Sequence, residues 1–383
     1  MSMWLKMAMI KEFPRWATDA VRTLEPSEAE KDVGWEFKEK PPARWMNWIH
    51  NATYTWIKYF WNSFLSNWFA CESSGGFPTQ SVIYHPVVGW FGAVSAGNIF
   101  RSNDGCRWES AFAPTANPSV VGIGMDSIRV IFGLTDTTLD YTANGTSKTN
   151  IDPGVIGEVL VITTKYPSDD YIIIGTDAGE VRFSTSVVGA WNTPTTPPPG
   201  IGATDVVGIV HISGSTWILL DQNGKTYIST DDGDNWAITS IIPGVALQTA
   251  YWLAYDADND VLIACGESPA NEPVLIYSDS TVLSWVLGTL SFFDPTWETL
   301  AIARHVYHCG DHSWVAVADG ASGLSDQVLI SLDDGVTWFL AARHRSGALN
   351  SYGSWLACDG RQLLMGLEIQ DIMYRTNTLP TAM

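Results

Sequence analysis

Four side chains able to ligate zinc fall within the eight residues of "HVYHCGDH": His305, His308, Cys309 and His312. Nitrogen and sulfur donors this close together are what a zinc site uses. On a strand, however, positions 305 and 308 face opposite sides of the sheet, and "CGDH" has the composition of a hairpin. The stretch therefore reads as a histidine-bearing turn, and no metal is expected. The acidic loops "DADND" (Asp256 to Asp260) and "STDDGD" offer oxygen atoms of the kind that hold calcium. Neither has the twelve-residue loop closed by a glutamate, so both read as solvated turns. The chain has no phosphate-binding loop, nucleophile elbow or dinucleotide fingerprint, and no cofactor is expected.

The second acidic loop belongs to a longer pattern. "ISTDDGDNW" (Ile228 to Trp236) and "ISLDDGVTW" (Ile330 to Trp338) share six of nine positions. In each, Asp231 or Asp333 can accept hydrogen bonds from backbone N–H groups of the hairpin it opens. Gly233 and Gly335 supply a positive φ. Ser229 and Ser331 close the turn from the other side, and Trp236 and Trp338 open the next strand with their indoles under the turn. Worn copies are "FRSNDGCRW" from Phe100, "FSTSVVGAW" from Phe183 and "YSDSTVLSW" from Tyr277, with fainter ones from Tyr141 and Tyr374. In the copy from Phe100, Arg101 takes the Ser position and Asn103 the Asp position. A Ser, Thr or Arg follows the leading residue at 101, 142, 184, 229, 278, 331 and 375. A recurrence of roughly 40–50 residues is the period of propeller blades.

Such turns must be carried by short antiparallel strands. One repeat reads "DVVGIVHI", "STWILLD", "KTYIST" and "WAITSI", and another "TLAIARHV", "SWVAVAD", "QVLISL" and "WFLAA". β-Branched runs separated by Gly, Asp and Asn at this rhythm indicate strands and not helices. The expected fold is mainly β, a seven-bladed β-propeller of four-stranded antiparallel blades over residues 76–383. The seventh repeat ends with scarcely a fourth strand, so Phe69–Gly76 or the tail Thr378–Met383 is expected to supply the outer one.

The turn resembles the Asp-box, or BNR repeat, S-x-D-x-G-x-T-W, of sialidase-type and other propellers. Its fourth and sixth copies match nearly in full, with Asn235 in place of Thr in the fourth. The resemblance implies a peripheral, structural role for Ser229, Asp231, Gly233, Trp236, Ser331, Asp333, Gly335 and Trp338, because in that family these turns lie away from the central pocket. It also raises sialidase chemistry, which requires an arginine cluster, a Tyr–Glu pair and an acid/base Asp. The family's Arg-Ile-Pro signature is absent and the arginines are few, so the chain is expected not to be an enzyme, with no catalytic residue assigned.

Composition narrows the partners. Acids outnumber bases 41 to 21 for a formal charge of −20, which disfavours nucleic acid and anionic membrane surfaces. No apolar run reaches membrane-spanning length, and the first residues read as mature sequence and not as a signal peptide. Five scattered cysteines without a CxxC suit reduced, packed thiols.

Residues 1–75 differ in kind. A polar, Pro-marked segment leads to "KPPARWMNWIHNATYTWIKYF", where apolar residues from Trp45 to Trp68 fall at helical spacing. A helix over about 43–68 is expected, too aromatic to hide its surface alone. Pro14, Arg15, Trp16, Ala17, Gly34, Trp35 and the "KPPAxxxNWxxN" run (Lys40, Pro41, Pro42, Ala43, Asn47, Trp48, Asn51) resemble the N-terminal segment of bacteriophage tail-fibre and tail-associated virion proteins. That resemblance implies an anchor to other virion proteins, with Pro14, Arg15, Trp16, Trp35, Trp45, Trp48, Trp56 and Trp61 as its assembly residues. It further implies a homo-oligomer, a trimer by analogy with fibres, a location on the virion tail or capsid, and a displayed propeller for attachment to a host surface glycan. Two alternatives stay open: a glycan-cleaving depolymerase, and a nozzle-type structural propeller.

Overall fold

The computed structural model describes residues 69–70, 79–94, 98–112, 119–165, 170–242, 247–281, 283–291, 300–310, 312–320, 325–345, 353–358, 363–367 and 374–376. The chain divides into two units, Met1–Ser66 and Asn67–Met383, and every element below lies in the second. The helix expected over about 43–68 and the anchor residues from Pro14 to Trp61 lie outside the described residues.

The described residues form seven sheets in chain order, all strand and no helix. Their innermost strands are Thr79–His85, Val120–Met125, Val159–Thr164, Val206–Ser213, Thr249–Asp256, Leu300–Gly310 and Gly353–Cys358. Each packs against the next, and Gly353–Cys358 returns to Thr79–His85. A closed ring of radial antiparallel sheets is a β-propeller. Second strands such as Val130–Leu134 and Ile172–Thr176 are buried on both faces, which is why they read as unbroken apolar runs. Outer strands such as Ala237–Ile241 are largely exposed.

The core sits between sheets. One cluster joins Ile218 and Leu220 of sheet 4 to Leu253 and Leu262 of sheet 5. Another joins Val82 and Trp90 of sheet 1 to Ala357 and Leu364 of sheet 7, so the closing interface is as apolar as the rest. Each buried Val, Leu or Ile among them contributes about 1.5–3 kcal/mol. Phe69–Ala70 pairs with Tyr374–Thr376 as the outer strand of sheet 7. The N-terminal stretch therefore closes the ring, from the far side of the boundary expected at residue 75.

Sheets 1, 2, 4, 5 and 7 have four strands, but two depart from the expected four. Sheet 3 has three. The segment after Val181–Ser184 makes one isolated bridge, Phe183 to Asn192, and then enters "TPTTPPPG", whose prolines have no N–H for a ladder. Sheet 6 has five, because Thr289–Ser291 adds a parallel strand outside Thr337–Arg345.

Two registers repeat around the ring. Every innermost strand shifts register at the same place, between Thr79/Ser81, Val120/Gly122, Val159/Val161, Val206/Gly208, Ala250/Trp252, Ala303/His305 and Gly353/Trp355. Every third strand carries a hydroxyl residue at its end, or in sheet 5 one residue before it, opposite the start of the second strand: Ser102, Thr142, Ser184, Ser229, Ser278, Ser331 and Thr376. The alignment on Arg101 and Arg375 is thus corrected by one residue in the first and last sheets.

Candidate functional site

Both full turns have one geometry. Ser229 Oγ donates to Asp231 Oδ1 at 2.9 Å and accepts from the Gly233 N–H at 2.9 Å. Asp231 Oδ1 accepts from the Asn235 N–H at 2.9 Å, and Trp236 Nε1 donates to the Gly233 carbonyl at 2.9 Å. Ser331, Asp333, Gly335, Thr337 and Trp338 repeat these bonds at 2.8, 2.9, 2.8 and 2.9 Å. The Asn235 side-chain amide, with help from backbone N–H groups and Ser229, holds the Asp231 carboxyl below its ordinary value. The glycines are left-handed, at φ 85° and 82°, and so are Asp232 and Asp334 before them, at 60° and 57°. The sequence pattern assigned positive φ to the glycines alone. Asp is among the few side chains that tolerate this region.

The turns also fasten neighbouring sheets. A Cβ on Gly233 would lie 2.7 Å from Ile173 Cδ1, and one on Gly335 2.6 Å from Ile263 Cδ1; the two isoleucines occupy equivalent positions in the preceding sheets. The segment arriving from the preceding sheet docks on each turn. Thr196 donates to the Asp234 carbonyl and accepts from the Trp236 N–H, and Thr289 donates to the Val336 carbonyl. Asp232 is pushed up by burial but held low overall by hydrogen bonds and charge, chiefly from Lys165. Its carboxylate also accepts from Trp217 Nε1 and Ser215. The hydrogen bonds of Ser229, Asp231, Asp232 and their counterparts Ser331 and Asp333 thus go to holding the turns.

Copies read as worn keep more than their letters suggest. In sheet 1, Ser102 donates to Asp104, which accepts from the Cys106 and Arg107 N–H groups at 2.9 Å each. This turn has one residue fewer between Ser and Gly, which displaced the letter alignment. Thr142 and Asn144 do the same in sheet 2.

The zinc-like cluster disperses. As strand alternation requires, His305 packs on Trp355 of sheet 7 at 5.0 Å while His308 reaches Asp256 of sheet 5 at 3.4 Å. His312 bonds Asp334 at 2.6 Å, and Cys309 meets Cys358. Among the described residues no three metal-ligating side chains converge. In "DADND", Asp256 is bonded to the Asp258 N–H and the Asn259 amide. Arg101, Arg129, Arg182 and Arg304 are each paired with a carboxylate.

The innermost strands enclose a cavity of about 400 Å³ along the ring axis, lined from all seven sheets. Just beyond the register shifts lies one layer: Ser81, Gly122, Val161 and Gly208 from sheets 1–4, and Trp252, His305 and Trp355 from sheets 5–7. The small residues allow close sheet approach, since a Cβ on Gly208 would meet Leu253 Cβ at 2.4 Å. The three rings form one wall, with Trp252 and His305 at 4.3 Å and Trp252 and Trp355 edge to face at 4.7 Å. Next comes a belt that is aliphatic in all seven sheets, from Val82 to Leu356, then a rim that includes Tyr84, Tyr255 and His308. No carboxylate, arginine or lysine is among the described lining residues. His305 is 2% exposed, neither ring nitrogen has a hydrogen-bond partner among the described residues, and burial pushes its pKa down to about 3. Sequence inspection missed this wall, because its members are about fifty residues apart and become neighbours only when the ring closes.

No family model matches the chain, and no curated protein does. Solved structures do resemble it. "YCF48 bound to D1 peptide" aligns with a TM-score of 0.60 at 12% identity, over 82% of this chain and 96% of that one. The WD40 β-propeller domain of Doa1 aligns at 0.56 and 12%, over 82% and 97%. A GH74 xyloglucanase from Xanthomonas campestris aligns at 0.61 and 13%, over 82% of this chain and 54% of the enzyme. At these identities the likeness is one of fold, a β-propeller.

Proposed function

We propose that the chain is a non-enzymatic bacteriophage virion component: a seven-bladed propeller with Asp-box-type turns, displayed on the tail or capsid by its N-terminal segment. The observation that supports the non-enzymatic part is a channel wall whose described lining holds no carboxylate, arginine or lysine. Most glycoside hydrolases place two carboxyl groups beside the scissile bond, and sialidase chemistry too needs an acid/base Asp and a Glu; the described wall has no carboxyl group. The virion part rests on the "PRWA" and "KPPAxxxNWxxN" motifs near the N-terminus. In this reading the N-terminal segment contacts other virion proteins, the assembly is a trimer, and the propeller's outer surface meets the host surface and its glycans.

Deleting residues 1–70 tests the anchor, with incorporation into particles as the readout. The deletion also removes Phe69–Ala70, the closing strand, so a deletion of residues 1–66 that spares it is the cleaner variant. Loss of incorporation with an intact propeller is expected; retained incorporation overturns the anchor. Incubating purified chain with host capsule or lipopolysaccharide tests the depolymerase alternative, since release of reducing ends would establish it.

A further inference from the structure

The channel invites an occupant, and its wall says which chemistry fits. A saccharide presents hydroxyls on every side, and the described wall, without carboxylate, amide or guanidinium side chains, meets them with only the hydroxyls of Tyr84, Thr163, Tyr255 and Tyr307 and two imidazoles. An ion would meet an aliphatic belt and no counter-charge. What the wall does offer is two half-buried indoles, Trp252 and Trp355, set edge to face. Between them lies His305, a buried imidazole with one N–H and one lone pair unmatched. A buried polar group left without a partner costs stability, and here it sits in the wall of the cavity. At this level sheets 1–4 place only Ser81, Gly122, Val161 and Gly208, of which Val161 and Gly208 line the cavity, so the aromatic wall faces the small-residue side of the ring. From this geometry we propose that the channel binds an uncharged aromatic ring bearing one hydrogen-bonding group, of the phenol or indole class, stacked on Trp252 and Trp355 and bonded to His305. The ring arrives as a free small molecule or as a Tyr or Trp side chain of a partner. The site is separate from any glycan contact of the outer surface and rests on neither the virion reading nor its anchor.

Titration calorimetry on the full chain tests this with p-cresol as probe. Toluene lacks the hydroxyl, 4-hydroxyphenylacetate adds a charge, and methyl β-glucopyranoside replaces the aromatic face. p-Cresol should bind roughly tenfold more tightly than toluene or 4-hydroxyphenylacetate, as one well-made hydrogen bond or one avoided buried charge dictates, and the glucoside should not bind. His305→Phe keeps the ring and removes the nitrogens, so it should bind p-cresol and toluene alike; Trp355→Leu should weaken both. Because His305→Phe must still bind toluene, a misfolded variant cannot imitate the expected result. An N-acetylated Gly-Tyr-Gly amide binding more tightly than p-cresol assigns the site to a partner's side chain, and the reverse order to a free molecule. No p-cresol binding up to its solubility limit, glucoside binding of equal strength, or an unchanged p-cresol to toluene ratio in His305→Phe overturns the proposal.

Discussion

At the rim, Ser229 and Ser331 stand in different sheets and make the same bonds to the same partners. At the axis, Trp252, His305 and Trp355 share one layer with Ser81, Gly122, Val161 and Gly208, and the seven positions have almost nothing in common. Both places are written by the same period. Where the copies agree, the residues hold the ring together, down to a left-handed Asp before a left-handed Gly. At the axis, where the copies diverge, the His305 imidazole stands without a hydrogen-bond partner among the described residues, in the wall of a cavity. In a repeat architecture, sameness marks the scaffold and difference marks the site.

That contrast can be broken most forcefully at the indoles. Trp338→Ala removes a side chain that is 1% exposed and donates to the Gly335 carbonyl. It should cost about 3–5 kcal/mol in urea denaturation, while Trp355→Ala, at a half-buried channel position, should cost clearly less. Equal losses would erase the distinction between rim and channel.

The next largest effect is in pH. Burial lowers His305 to about 3, whereas in the unfolded chain it titrates near 6.5. Below that value the unfolded state takes up a proton that the folded state refuses, so His305 lowers stability as pH falls from about 6.5 towards 3. The slope is about 1.4 kcal/mol per pH unit. His305→Phe should remove this term, and its stability advantage over the native chain should widen on acidification. A gap that does not change with pH would mean that His305 finds a partner.

Gly335→Ala places a Cβ at φ 82° and 2.6 Å from the flexible end of Ile263, and should cost about 1–2 kcal/mol. The smallest effect sharpens the register. Ser102→Ala should cost about 1 kcal/mol through loss of its bonds to Asp104. Removal of Arg101, whose ion pair with Glu109 is solvent-facing, should cost about half of that or less. The reverse order would restore the alignment on Arg101.

Much of the scaffold was legible in the chain. "ISTDDGDNW" announces its turn because Asp, Gly and Trp each have a local reason to be there, and the recurrence at blade spacing announces the ring. Ser102 is displaced by one in a letter alignment because the first turn is a residue shorter, and Thr376 is placed only by its pairing with Leu363. The three strands of sheet 3 and five of sheet 6 were not legible, since the prolines after Asn192 and the pairing of Thr289–Ser291 act between elements distant in the chain. The channel wall was least legible of all. His305 looked like one of four candidate ligands in a hairpin, and only ring closure sets it beside Trp252 and Trp355.

The most direct test of the division between rim and channel is the calorimetric affinity for p-cresol, measured on Ser331→Ala and His305→Phe beside the native chain. Scaffold at the rim and site at the axis predict native affinity in Ser331→Ala despite its lower stability, and roughly tenfold weaker binding in a His305→Phe protein at least as stable as the native one. Weakened binding in Ser331→Ala with native affinity in His305→Phe would contradict it.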